Sequence, residues 1–179
     1  MTENDATLIK AILYGEEEAM ETLVHRYYDE IFYYIYRLGS PYEEAKDITQ
    51  EVFIVMLKAL STYQEQGNFK AWLYKIAYNR AMNSFRQNKQ SISFSVEHEN
   101  LMIESDISDQ IVKQSMVKEL LNSLPKKQRN TLILKYFHGF TAKEIAKITG
   151  TSVPTVKSRL LQGLQKMKKH TRRELIERD

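Results

Sequence analysis

Between residues 154 and 162, six side chains mix four hydrogen-bonding groups (Thr155, Lys157, Ser158 and Gln162) with two apolar ones (Pro154 and Leu161) at helical spacing. On a helix they turn away from Val156, Leu160, Leu164 and Met167, which recur at four, four and three residues and form the expected buried stripe. The chemistry such a face can do is recognition: a short helix fits the major groove of DNA, and its N-terminal residues reach the base edges. A preceding helix is expected to bury Ile145, Ala146 and Ile148 and to open on a capping box, Thr141 with Glu144. Gly150 follows Ala146 by four residues, where a left-handed residue can end one helix and redirect the chain into the next. Residues 141–169 therefore read as a helix-turn-helix with a basic tail. The same residues could make an ordinary helical hairpin with a solvated basic face. Ala146, Gly150 and Val156 in register, together with the cationic tail, favour DNA binding.

The charge distribution points the same way. The net charge is only +3, but residues 111–179 hold 16 Lys+Arg against 5 Asp+Glu, and residues 1–110 hold 10 against 18. The C-terminal third thus has the footprint of a polyanion binder, while the rest does not. With 42% hydrophobic and 27% charged residues, the 179-residue chain has the balance of a globular protein of one medium or two small domains. No apolar run approaches the roughly 20 residues that span a bilayer, and no signal peptide opens the chain, so a cytoplasmic location is expected. The absence of cysteine rules out disulfides and thiolate metal sites. His25, His98, His138 and His170 are scattered, so neither metal nor cofactor is expected.

The elements that must position the recognition face are all helical. Leu8, Ile9, Ile12 and Leu13 predict a short helix stopped at Gly15, and Met20 to Leu38 predict a long one ended by Gly39. Ser40, Pro41 and Glu43 suggest a capping box that starts a third helix, burying Ala45, Ile48, Val52, Val55, Met56 and Ala59. A polar loop over 61–68 leads to a helix over 69–87. Residues 88–110 lack periodicity and read as a linker, with Leu101, Met102 and Ile103 as one stretch that could dock. Helix resumes near Ile111, and Pro125 opens another that Gly139 closes. The expected fold class is all-α: two small helical domains, 1–87 and 111–179, joined by a flexible acidic linker over 88–110.

Four stretches then carry a family resemblance. Residues 43–60 (EEAKDITQEVFIVMLKAL), 68–86 (NFKAWLYKIAYNRAMNSFR), 124–150 (LPKKQRNTLILKYFHGFTAKEIAKITG) and 151–169 (TSVPTVKSRLLQGLQKMKK) resemble a bacterial RNA polymerase sigma factor of the extracytoplasmic-function type in the sigma-70 family. The match is specific because both halves occur in the right order and spacing. It implies a sigma factor that binds core RNA polymerase and directs promoter-specific transcription initiation, with no catalytic residues and no small-molecule substrate. It also implies an anti-sigma partner, commonly membrane-anchored.

By this resemblance, Lys157, Ser158, Leu161 and Gln162 face the −35 bases, Arg159 and the tail lysines grip phosphates, and Thr155 belongs to the same −35 DNA-binding set. Lys can donate to guanine acceptors, Gln can pair with adenine in a bidentate way, and Leu161 either touches a thymine methyl or packs on its own domain. Many family members have Arg where Lys157 stands, so the base it prefers stays open. Tyr63, Phe69, Asn79 and Asn83 match the −10 reader, with Lys70, Lys75, Arg80 and Arg86 available for phosphates. Trp72 and Phe85 read as core, and Tyr74 and Tyr78 as either. Asp47, Gln50, Glu51 and Phe53 match the face that docks on polymerase. The linker acids Glu97, Glu99, Glu104, Asp106 and Asp109 resemble the family's nucleic-acid-mimicking linkers, which thread the RNA exit path.

Two rival readings differ in class. A stand-alone helix-turn-helix regulator with an N-terminal sensing domain would bind duplex DNA tightly without polymerase. An enzyme with a DNA-binding tail would need a nucleophile elbow, a phosphate-cradling glycine loop or a metal set, and the chain offers none of these.

Overall fold

In the computed structural model, residues 4–64, 68–91, 117 and 119–176 are described, and among them every regular element is helical. The chain divides into two compact units. The first contains α1 (Asp5–Leu13), α2 (Glu17–Arg37), α3 (Tyr42–Ala59), a 3-10 turn (Leu60–Thr62) and α4 (Phe69–Ser91). The second contains α5 (Lys126–Tyr136), α6 (Ala142–Thr149) and α7 (Val153–Ile176). Among the described residues, no helix is long and apolar enough to cross a membrane, and no cluster of His, Cys, Asp or Glu could hold a metal ion.

In the first unit, Asn4 caps α1 by accepting from the Thr7 amide at 2.8 Å. Asp5, at the start of that helix, ties it to α2 by accepting from Arg26 Nη1 and from the Tyr27 hydroxyl, both at 2.6 Å. Burial, then the bond to Asp5, pushes the Tyr27 hydroxyl above the usual phenol range, which favours the protonated form that donates to Asp5. The core stripe of α4 is Phe69, Leu73, Ala77, Ala81 and Phe85, one residue per turn, with Tyr74 alongside. It packs on α3, whose buried side is Ala45, Ile48, Thr49, Val52, Phe53 and Met56.

Three expectations change here. The capping box at Ser40 does not form: Pro41, extended at ψ 157°, is the N-cap of α3 and no side chain caps it, leaving Glu43 and Glu44 to meet the helix dipole. On α3, Val55 and Ala59 are half-buried, and Thr49 and Phe53 take the core positions. Helix α4 runs to Ser91 rather than ending at Gln87, because the residues after Gln87 are polar but include no Gly or Pro to break it. The remaining linker, with its acids from Glu97 to Asp109 and Leu101–Ile103, lies outside the described residues, as does the start of helix near Ile111.

In the second unit the capping box at α6 is complete: the Thr141 hydroxyl accepts from the Glu144 amide at 3.3 Å, and Glu144 Oε2 accepts from the Thr141 amide at 2.7 Å. Gly150 ends α6 at φ 63°, its amide donating to Ala146 O, and the Thr151 amide donates to the same oxygen at 3.0 Å. Ile145, Ile148 and Val156 are buried across the turn. The expected stripe on α7 is corrected beyond Val156. Leu164 is 41% exposed, Leu160 and Met167 are half-buried, and Gly163 occupies the buried position.

Thr141→Ala removes a side chain that satisfies an otherwise orphaned helix donor. It should cost about 1 kcal/mol of stability in urea unfolding followed by circular dichroism, with Thr141→Ser close to wild type.

Candidate nucleic-acid interface

Helix α7 starts at a second polar cap. Ser152 Oγ accepts from the Thr155 amide at 3.3 Å and lies 2.8 Å from the Thr155 hydroxyl, which ties Thr155 to the cap and leaves it half-buried. With that turn set, Lys157, Ser158, Leu161 and Gln162 all emerge on the solvent side. Arg159 is half-buried beside them, and Lys166, Lys168 and Lys169 are exposed further along. Leu161 is 60% exposed, so the alternative that it packs within its own unit is excluded. Gln162 is not a loose side chain: its Oε1 accepts from Gln128 Nε2 at 2.9 Å, and its Nε2 donates to Ser158 Oγ at 3.2 Å. Gln128 was invisible to a reading of local pattern, because it lies 34 residues away on another helix.

The first unit separates the expected −10 residues into two groups. Asn68 caps α4, accepting from the Ala71 amide at 2.9 Å, and this entry turns Phe69 inward. Phe69 is only 5% exposed and its ring lies 5.6 Å from Tyr27, so it belongs to the core and has no free face for a base. Tyr63 is half-buried and stands 4.7 Å from Trp72 and 5.7 Å from Phe69, centroid to centroid. Trp72, expected in the core, is itself half-buried, so Tyr63 and Trp72 are the partly exposed rings at this site.

The cations divide similarly. Lys70 Nζ pairs with Glu30 Oε2 at 2.7 Å, and that carboxylate also accepts from the Tyr74 hydroxyl at 3.2 Å. Tyr74 is fully buried; burial, followed by the Glu30 charge, raises its hydroxyl far above the usual phenol range. Tyr78 is half-buried, and Phe85 lies in the core. Lys75, Asn79, Asn83 and Arg86 share one exposed face of α4, where Arg86 donates to Asn83 Oδ1.

On α3, Asp47, Gln50 and Glu51 are exposed, the last two lying three and four residues after the first. Phe53 does not join them: it is 5% exposed and stacks on Tyr28 at 6.0 Å. The apolar group on this face is Ile54, 50% exposed and seven residues, or two turns, beyond Asp47. That spacing was the signal available in the sequence. Glu51 pairs with Arg80 on α4 at 3.6 Å, and between the two helices runs an open groove of about 550 Å³ lined by Glu44, Asp47, Glu51, Arg80, Asn83 and Arg86.

Comparison with known proteins adds to this geometry. A model of sigma-70 region 2 matches residues 23–91, and a model of sigma-70 region 4 matches residues 114–167. The chain is 29% identical over 177 residues to the ECF RNA polymerase sigma factor SigW of Bacillus subtilis, covering 92% of this chain and 95% of the relative. It is 31% identical over 137 residues to RNA polymerase sigma factor SigV of the same organism, covering 74% and 81%. Its fold resembles that of the sigma factor RpoE, solved in complex with the anti-sigma factor NepR from Bartonella quintana. That likeness has a TM-score of 0.67 at 21% identity and covers 83% of this chain and 94% of the other.

The division of the aromatic cluster is testable by stability. Phe69→Ala should cost about 3–5 kcal/mol in urea unfolding, as expected for an emptied core site. Tyr63→Ala should cost about 1–2 kcal/mol, the scale of its ring contacts.

Proposed function

Because this chain belongs to the sigma-70 family of RNA polymerase sigma factors, in its extracytoplasmic-function type, it directs promoter-specific transcription initiation, and we propose how its two units divide that work. The second unit reads the −35 element as duplex DNA. The first docks on core RNA polymerase and captures unpaired bases of the −10 element. The observation that carries this reading is the solvent face of α7, where Lys157, Ser158, Leu161 and Gln162 stand together above a capped turn.

In the major groove, Lys157 donates to guanine acceptors, Gln162 meets adenine through paired donor and acceptor, and Leu161 contacts a thymine methyl. A good bidentate contact discriminates by about 1–3 kcal/mol, whereas Arg159 and the tail lysines add salt-dependent affinity without sequence information. Strand opening requires a different source of energy, since such a factor hydrolyses no nucleotide. Stacking on an aromatic face holds an unpaired base at about 1–3 kcal/mol. Tyr63 with Trp72 is the surface that can supply it, in place of the buried Phe69. Lys75, Asn79, Asn83 and Arg86 then line the path of the strand, while Lys70 reaches a phosphate only by leaving Glu30.

Asp47, Gln50 and Glu51, joined by Ile54, form the docking face for polymerase: charge sets orientation and the apolar side chain adds buried area. An anti-sigma factor that holds the chain inactive, membrane-anchored as is common in the family, completes the set of partners. Work alongside polymerase and DNA places the chain in the cytoplasm, and the chain needs no catalysis, metal or cofactor of its own.

Run-off transcription with purified core enzyme on a promoter library tests the whole reading, and a chain that selects no promoter overturns it. Lys157→Ala and Gln162→Ala should reduce output according to −35 sequence by about 5- to 100-fold at the base each contacts, with core binding retained. Asp47→Arg should weaken co-purification with core polymerase at least about tenfold, because a rim charge reversed against a basic partner converts attraction to repulsion.

A further inference from the structure

Gln128 sits in the first turn of α5, its amide donating to Pro125 O at 2.9 Å, so its backbone is fixed. It reaches Gln162 because α5 and α7 approach closely next to that residue. A Cβ placed on Gly163 would lie 2.8 Å from Leu132 Cδ1 and 3.7 Å from Gln128 Cβ. A primary amide offers two acceptor lone pairs and two N–H donors. Gln162 uses one of each within the protein, accepting from Gln128 and donating to Ser158. One lone pair and one N–H remain on the exposed amide, which is the set that a bidentate contact to adenine requires.

The other end of Gln128 is informative. Its Oε1 is buried and has no hydrogen-bond partner among the described residues. A buried acceptor left unsatisfied is unfavourable, and an apolar side chain of similar size would fill the space without it. Donation to Gln162 gives the amide a role here that an apolar side chain could not fill.

We propose that Gln128 is a positioning residue for −35 specificity: it holds the Gln162 amide in one orientation before DNA arrives. This inference rests on the reading of Gln162 as a base-contacting residue. Ordering the side chain during folding removes a rotamer-entropy cost from binding. It also fixes which edge of the amide donates and which accepts, so the wrong base meets a mismatched pair rather than a side chain free to turn over.

The test uses the full chain with core RNA polymerase, transcribing a library with every single-base change in the −35 element. Gln162→Ala first identifies the position whose preference Gln162 sets. Gln128→Leu should lower base preference at that same position at least about fivefold, with preferences elsewhere, salt dependence and the thermal unfolding midpoint close to wild type. Gln128→Glu keeps the size but cannot donate to Gln162 Oε1, and should also lose preference there, which covers the case of a poorly folding leucine variant. The double variant Gln128→Leu with Gln162→Ala should be no worse at that position than Gln162→Ala alone. If Gln162→Ala collapses one position and neither Gln128 variant touches it, the positioning role is overturned and base reading stands. If the Gln128 variants lower output equally on all templates, the role is structural and the proposal fails. If Gln162→Ala changes no preference, base reading fails and takes this inference with it.

Discussion

At Gly163 the backbone of α7 comes so near α5 that an added Cβ would stand 2.8 Å from Leu132 Cδ1. Glycine costs helix stability in mid-helix, of order 1 kcal/mol relative to Ala, and close packing of the two helices is what that cost secures. The approach has two consequences for the outer face. It sets the rotation of α7 about its own axis, so that Val156 and Gly163 point inward while Lys157, Ser158, Leu161 and Gln162 point out. It also brings Gln128 within 2.9 Å of Gln162. The set of side chains that α7 presents to solvent is thus a product of packing on its other side.

The first unit meets the opposite demand with the same residue types. Aromatic rings are both its core and its candidate base-stacking surface, and burial decides between them. Phe69 and Tyr74 are enclosed, the first against Tyr27 and the second against Tyr34 at 5.1 Å. Tyr63 and Trp72 lie at the edge of the same cluster and keep part of their rings exposed. A ring held at that edge is anchored by its neighbours while part of it stays open to a base, which suits it to capture without a large ordering cost. Glu30 reinforces the boundary, since one carboxylate both accepts from the Tyr74 hydroxyl and holds Lys70 in a defined place.

Charge follows the same division of labour. The C-terminal third carries an excess of 11 positive charges, which suits the continuous phosphate lattice of duplex DNA, whereas residues 1–110 are acidic on balance. On the proposed reading the acidic residues of α3 serve a protein partner, and the exposed cations of α4, Lys75 and Arg86, are a local group rather than a field over the whole unit. An excess of one sign over the entire molecule would bind nucleic acid indiscriminately.

Much of this was legible in the residues alone. Helix existence, the capping box at Thr141, the turn at Gly150 and the outward set on α7 all follow from local chemistry: a cap needs an oxygen three residues from an amide, a left-handed turn favours glycine, and a helical face repeats every three or four residues. Tertiary contact decided the rest. Phe53 and Phe69 look like surface aromatics in their motifs and are core in the fold, while Trp72, which reads as core, keeps part of its ring exposed. A helical pattern identifies which residues share a side, but partner helices decide how wide the buried arc is. Gln128 and Gly163 show the limit most clearly. Their importance lies in contacts between α5 and α7, such as that of Gln128 with Gln162 34 residues away, and local spacing carries no trace of a distance that only packing creates.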